Sequence, residues 1–247
     1  MRVTRAFVDL PLEPGATVAL PAEAAGHLLR VLRLGEDDEC VLFNGDGRDY
    51  RARIAAAGKR DGMVEILDAR PVDNESPLRI VLLQALARGE KMDWIVQKAT
   101  ELGVAAIVPI HSERSEVRLD ADRAGKRLAH WRSVAVAACE QSGRARLPEL
   151  SQPAPLAHAL AALAPAALRL VLEPDAPRTS ATLAAADAGN AGVVIAIGPE
   201  GGWSPNDLAA LASAGFAGLR LGPRVLRTET AGLAAIAALQ ARLGDLY

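Results

Sequence analysis

Val193-Val194-Ile195-Ala196-Ile197-Gly198-Pro199-Glu200-Gly201-Gly202-Trp203-Ser204 reads as a buried strand that runs into a glycine-rich turn and then a helix. Five apolar residues without a break suit a strand covered on both faces, the habit of parallel sheets. Gly201 and Gly202 let the backbone approach a ligand closely. Ser204, Pro205 and Asp207 carry helix-start signals: a capping hydroxyl, a proline in the first turn and an acid that complements the helix dipole. Open parallel sheets bind ligands at the C-terminal ends of their strands, where this turn falls. GxGxxG and GK[ST] are both absent, which excludes a dinucleotide fingerprint and a P-loop. An ordinary strand-to-helix connection uses similar glycines, so the segment needs support from elsewhere in the chain.

Two other segments supply it. Leu221-Gly222-Pro223-Arg224-Val225-Leu226-Arg227-Thr228-Glu229-Thr230-Ala231 ends a strand, turns, and alternates arginines with apolar residues before a helix. Val171-Leu172-Glu173-Pro174-Asp175-Ala176 is again a strand end and a turn. Three strand ends with polar or glycine-rich turns are expected to form the rim of one small-molecule pocket.

From Leu78 onward strands and helices alternate. Strands are expected at Arg79–Ala85, Val104–Ile110, Leu168–Leu172, Val193–Ile197 and Leu219–Leu221. Helices are expected at Lys91–Leu102, Asp122–Ser142, Thr179–Ala188, Ser204–Ala214 and Thr228–Leu243. This alternation implies an α/β domain on a parallel sheet. Residues 1–72 read differently, as short strands at Arg5–Leu10, Glu39–Phe43, Arg48–Ala55 and Met63–Ala69, with a short helix over Ala22–Leu32. Asn44-Gly45-Asp46-Gly47 suits a hairpin turn. Pro71–Pro77 has linker composition, so a small β domain over 1–72 and an α/β domain over 73–247 are expected.

Half of the 247 residues are hydrophobic, enough for one large core or two smaller ones, and the net charge of −2 gives no bulk attraction to nucleic acid. RNA contact must come from local clusters, such as His27, Arg30 and Arg33, spaced to share one helix face. Cys40 and Cys139 form no CxxC pair, which fits a reducing cytoplasm. No signal-peptide pattern opens the chain, and no apolar run is long enough to span a membrane. His111, His130 and His158 lack partners at metal-ligand spacing and are read as structural, with no metal expected.

The three rim segments resemble the cofactor loops of SPOUT methyltransferases. GPEGGWS and LGPRVLRTETA look like the C-terminal signatures of the RsmE-type family, which methylates N3 of a uridine in 16S ribosomal RNA. Gln84–Trp94 and Gln97–Gly103 resemble that family's first helix, and Glu113-Arg114-Ser115 and Ala138–Arg144 also fit. Arg5-Ala6-Phe7-Val8 and His27–Arg33 resemble its small N-terminal β-barrel, so the likeness covers nearly the whole chain. Trp203 stands where phenylalanine is usual, and Asn206-Asp207 varies where an acid often begins the helix.

The resemblance implies a SPOUT domain knotted as a trefoil at its C-terminal end around a mostly parallel sheet, plus a PUA-like barrel. It also implies S-adenosylmethionine as cofactor, 16S rRNA of the small ribosomal subunit as substrate, and a homodimer. Leu172, Glu173, Ile197, Gly198, Pro199, Gly201, Gly202, Leu221, Gly222, Val225, Leu226 and Thr228 would hold the cofactor, with the large aliphatic side chains sandwiching adenine. Arg227 would stabilise negative charge on uracil, with Glu229 or Glu200 as proton acceptor. Arg5, His27, Arg30, Arg33, Arg88, Lys91, Arg114, Arg144 and Arg224 would face RNA. Methylation of a ribose 2′-hydroxyl or another base, and a non-catalytic knotted RNA-binding assembly factor, are the alternatives.

Overall fold

The computed structural model describes residues 4–58, 61–184, 188–189 and 191–246. The chain forms two compact units, 1–75 with 136–147 and 76–135 with 148–247. Composition placed a boundary after Val72; the first unit runs three residues further and takes in a distant segment that a linker signal has no means of indicating.

In the first unit, five strands lie in the order β1-β3-β4-β5-β2. They are β1 (Arg5–Phe7), β2 (Thr17–Ala19), β3 (Glu39–Phe43), β4 (Arg48–Ala57) and β5 (Gly62–Pro71). β3 and β4 form the expected antiparallel hairpin, with Gly45 and Gly47 at φ near +93° and +94° in its turn. Along β4, Tyr50, Ala52 and Ile54 turn inward while Arg51 and Arg53 stay out, where they pair with Asp68 and Glu65 on β5. β1 stops earlier than the expected Arg5–Leu10, and β2, only three residues long, escaped the pattern reading. The expected Ala22–Leu32 helix is an α-turn, α1 (Ala22–Ala25), that widens into a π-helix over Gly26–Val31. It buries Leu28 and leaves His27 and Arg30 exposed.

Residues 136–147 complete this unit, and they correct two expectations. Arg5 stacks over Phe43 at 4.7 Å, pairs with Asp49 and donates to the Cys139 carbonyl at 3.0 Å. Arg144 makes a two-pronged contact with Glu75, Nε at 3.0 Å and Nη2 at 2.6 Å, with 5% of its side chain exposed. Both guanidiniums are committed internally and have little surface to offer RNA. Glu75→Ala, which strips Arg144 of this carboxylate, is expected to destabilise the protein by about 2–4 kcal/mol; urea denaturation would show it, and a loss below about 1 kcal/mol would mean that the arginine finds water instead. Burial pushes the Cys40 and Cys139 thiols up to about 11, so neither is a thiolate nucleophile at neutral pH.

The second unit is built on a parallel sheet in the order β12-β10-β11-β6-β7-β8, with β9 also paired to β7. Its strands are β6 (Ile80–Ala85), β7 (Ala106–His111), β8 (Glu149–Leu150), β9 (Ala154–Pro155), β10 (Leu168–Leu172), β11 (Val193–Ile197) and β12 (Ala217–Leu219). The helices are α2 (Lys91–Glu101), α3 (Ala121–Ser142, of which residues 136–142 belong to the first unit), α4 (Leu156–Ala162), α5 (Pro205–Ser213) and α6 (Thr228–Leu243). One sheet face packs Leu82, Ile107, Leu170 and Ile195 against α2 and α6; the other packs Val81, Leu83, Val194 and Ala196 with Leu156 of α4 and Leu211 of α5. Covered on both faces, the central strands are mostly apolar, as their sequences indicated, with Gln84 in β6 and Arg169 in β10 as exceptions.

Two expectations shift. Where a helix over Thr179–Ala188 was read, Thr179 bridges to Arg220 and a single 3-10 turn follows at Ser180–Thr182; residues 185–187 lie outside the described residues. The last strand is Ala217–Leu219 rather than Leu219–Leu221, because the chain must already be turning at Leu221 to enter the loop before α6. From the edge strand β12 the chain returns to the sheet's middle, and α6 packs on α2, β11 and β6. That return is the path along which the resemblance places the knot. No helix among the described residues is long and apolar enough to cross a membrane.

Candidate functional site

A cavity of about 650 Å³ opens at the C-terminal ends of β10, β11 and β12, within the ~300–1,000 Å³ usual for small-molecule sites. Its walls are the turn after β10, the turn after β11, and the stretch from Leu219 into the first turn of α6. Leu172, Ile197, Leu221 and Leu226 give it apolar faces, and Glu173, Asp175, Glu200, Arg224 and Arg227 give it charge. Gly202 and Gly222 sit at φ +69° and +77° with open space where a side chain would project, so both turns bring bare backbone to the cavity. At Gly198 a Cβ would crowd the Trp203 indole at 3.2 Å.

Local structure fixes these turns. The Asp207 amide donates to Ser204 Oγ at 3.0 Å and the Ser204 amide to Asp207 Oδ2 at 3.1 Å, a capping box that sets the start of α5. The acid expected at this helix start is therefore present, in Asp207. The Glu113 amide also reaches Asp207, and Asn206 Nδ2 donates to Glu113 at 2.8 Å, which docks the Ser112–Glu116 segment beside the turn. Hydrogen bonds from Ser204 and Asn206 hold the Glu113 carboxyl below its ordinary range. On the other side, the Thr228 hydroxyl donates to the Gly198 carbonyl at 2.7 Å.

Lys91, at the start of α2, joins two carboxylates. Its ammonium donates to Glu200 Oε1 at 3.1 Å and lies 3.4 Å from Glu229 Oε2. The Glu200 contact is the larger cause that lifts Lys91 above its usual range. Burial raises the Glu200 carboxyl, but hydrogen bonds from its own backbone, the Lys91 ammonium and the Arg88 amide outweigh it, so the net direction is down. Glu200 is thereby kept ionised and made a weaker base. The Glu229 contact is an ion pair, and its Oε2 is buried with no hydrogen bond.

Every residue expected to hold the cofactor lines this cavity except Gly201, whose carbonyl instead accepts from Arg114 Nη1 at 3.3 Å. Arg227 and Glu200 line it, and Glu229 reaches it through Lys91. Of the residues expected to face RNA, Lys91 and Arg224 line the cavity, Arg114 braces its turn, and Arg88 pairs with Glu116. His27, Arg30 and Arg33 are exposed in the first unit. Sequence reasoning did not place Trp203, Leu208, Arg220 or Ala231 at the site, and it read Lys91 as a surface cation. Gln84 was also passed over, although one polar residue in the run Ile80–Ala85 was a visible signal.

Comparison with known proteins extends over both units. The RNA methyltransferase domain family matches residues 74–240, and the RNA methyltransferase PUA domain family matches 20–67. Ribosomal RNA small subunit methyltransferase E of Mycobacterium tuberculosis is 34% identical over 237 residues, covering 94% of this chain and 89% of that protein. Its namesake from Buchnera aphidicola is 31% identical over 245 residues, covering 99% and 98%. Among solved structures, ribosomal RNA small subunit methyltransferase E of Neisseria gonorrhoeae, bound to S-adenosyl methionine, is 40% identical with a TM-score of 0.92 and full coverage of both chains. A Legionella pneumophila methyltransferase in complex with the same cofactor is 39% identical with a TM-score of 0.94, again with full coverage.

By class, then, the second unit is the α/β domain of a SPOUT-type RNA methyltransferase, and a PUA-like β domain precedes it. Within that class, the chain belongs to the ribosomal RNA small subunit methyltransferase E family.

Proposed function

We propose that this protein transfers a methyl group from S-adenosylmethionine to N3 of one uridine in the 16S rRNA of the small ribosomal subunit. The glycine-lined cavity at the strand ends carries this reading. Its residues fit the cofactor: Leu172, Ile197, Leu221 and Leu226 suit the faces of adenine, and Glu173 and Asp175 suit hydroxyl or ammonium groups. Gly202 and Gly222 leave room that any side chain would fill. A family member bound to this cofactor superposes over its whole length.

Bound, the cofactor supplies an already activated methyl group, so the protein's tasks are orientation and removal of the N3 proton. Arg227, exposed at the cavity's edge, is the cation that stabilises negative charge spread over the uracil oxygens. Of the two acids, Glu200 accepts hydrogen bonds from Lys91 and the Arg88 amide, whereas Glu229 is held by Lys91 through an ion pair at 3.4 Å and accepts no hydrogen bond at that oxygen. That favours Glu229 as the proton acceptor and gives Glu200 the work of holding the turn. A homodimer belongs to the same reading: with one face of α6 packed inside its own unit, Leu233, Ala234, Ala237 and Ala238 are left only half-buried. Two protonated buried thiols suit a reducing compartment, the cytoplasm.

The test is methyl transfer from labelled S-adenosylmethionine to small subunits that lack the modification, followed by digestion to nucleosides. Label in 3-methyluridine is expected. Label in a 2′-O-methylated nucleoside or another base would overturn the N3 assignment, and absence of cofactor binding would overturn the enzymatic reading.

A further inference from the structure

We infer that Gln84 is a positioning residue for the cofactor turn, acting on the Gly198 carbonyl through the hydroxyl of Thr228; this rests on the S-adenosylmethionine reading of the cavity. Gln84 is the one polar side chain in β6, it is fully buried, and its register partner on β11 is Ile197, the residue before Gly198. Its Nε2 donates to the Ala85 carbonyl at 3.0 Å and to Thr228 Oγ1 at 3.1 Å. Thr228 Oγ1 in turn donates to the Gly198 carbonyl at 2.7 Å. A hydroxyl has one proton. Because Gln84 offers Thr228 an N–H, the threonine proton is free for Gly198.

The opposite amide orientation fails on chemistry. It would set the Gln84 oxygen against the Ala85 carbonyl and draw the threonine proton away from Gly198. The adopted orientation leaves Gln84 Oε1 buried with no partner, beside Gly232, where a Cβ would lie 3.3 Å from it. An unpaired carbonyl in an apolar interior is costly, and an aliphatic side chain of similar volume would avoid the penalty. Packing therefore gives no reason for an amide here. Its donor end does: it ties the middle of the sheet to the first turn of α6 and, through it, to the turn after β11. Gly198 and Thr228 both line the cavity, so the relay sets where the cofactor meets backbone.

The test is a double-mutant cycle on the full chain, with Kd for S-adenosylmethionine measured by calorimetry and steady-state constants measured alongside. Thr228→Val, which keeps the shape and removes the hydroxyl, is expected to raise Kd on the order of tenfold, and Gln84→Met about three- to tenfold. Combined, they are expected to do no more than the larger single change, since both break one relay. The loss falls on KM for the cofactor rather than on kcat, and Thr228→Ser restores it. Multiplying effects, unmoved Kd values in folded variants, or a loss confined to kcat would each overturn the relay. If Gln84→Met does not fold, an unchanged Kd in Thr228→Val overturns it by itself. Failure of the unaltered protein to bind the cofactor would instead strike the reading on which the relay rests.

Discussion

Replacing Arg227 by alanine is expected to lower kcat by about 10²–10³-fold while Kd for S-adenosylmethionine moves by no more than a few-fold. Uracil becomes a nucleophile at N3 only as its proton leaves, and the resulting charge spreads onto the ring oxygens. Arg227 occupies the N-cap position of α6, with extended backbone geometry, and its side chain lines the cavity with no acidic partner among the described residues. Two backbone amides, those of Thr230 and Ala231, donate to its carbonyl, so the residue is anchored while its guanidinium is exposed. Arg227→Lys is expected to fall between, since an ammonium keeps the charge but loses the planar pair of donors. Single-turnover transfer at saturating cofactor and RNA separates the outcomes. A normal kcat with a raised KM for cofactor would move Arg227 from uracil to the cofactor's carboxylate.

What the sequence made legible follows the range of the forces involved. β10, β11 and α6 have the bounds expected of them, because a short, mostly apolar run or a long run of helix-forming residues is decided by neighbours a few positions away. The rim segments were legible for the same reason: each is a local strand-turn-helix unit, and the sheet alone brings them together. α4 was missed because its alanines blur any helical periodicity, and β8 and β9 are two residues each. Arg5 and Arg144 were misread because their burial depends on residues 136–147 rejoining strands more than 60 positions earlier, as the Arg144–Glu75 pair does with a separation of 69. Lys91 presents the same difficulty, since Glu200 lies 109 positions away and nothing near Lys91 announces it. A charge at an element's end reads as solvated until the fold supplies a partner.

The second large effect is expected in the first unit. Arg30→Ala with Arg33→Ala should weaken RNA binding by on the order of 10–100-fold and reduce the salt slope of log K by about 2, roughly one for each phosphate no longer neutralised. Neither arginine has an acidic partner among the described residues, in contrast to Arg51 and Arg53 of the same unit, whose charge is already spent on Asp68 and Glu65. The π-helix presents Arg30 across Gly26, where a Cβ would meet its Nη2 at 2.6 Å, and Arg33 follows at φ +59°. Val31 and Leu32 stand exposed between them, offering an apolar surface to splayed sugars or bases. Cofactor affinity should not change, because the cavity is built entirely from residues of the other unit. Titrating RNA at several salt concentrations distinguishes the causes. Weaker binding with an unchanged slope would mean that the arginines shape the surface rather than neutralise phosphates. An unchanged affinity would shift the electrostatic work to Arg224 and its neighbours at the cavity, where it would then have to serve binding and chemistry together.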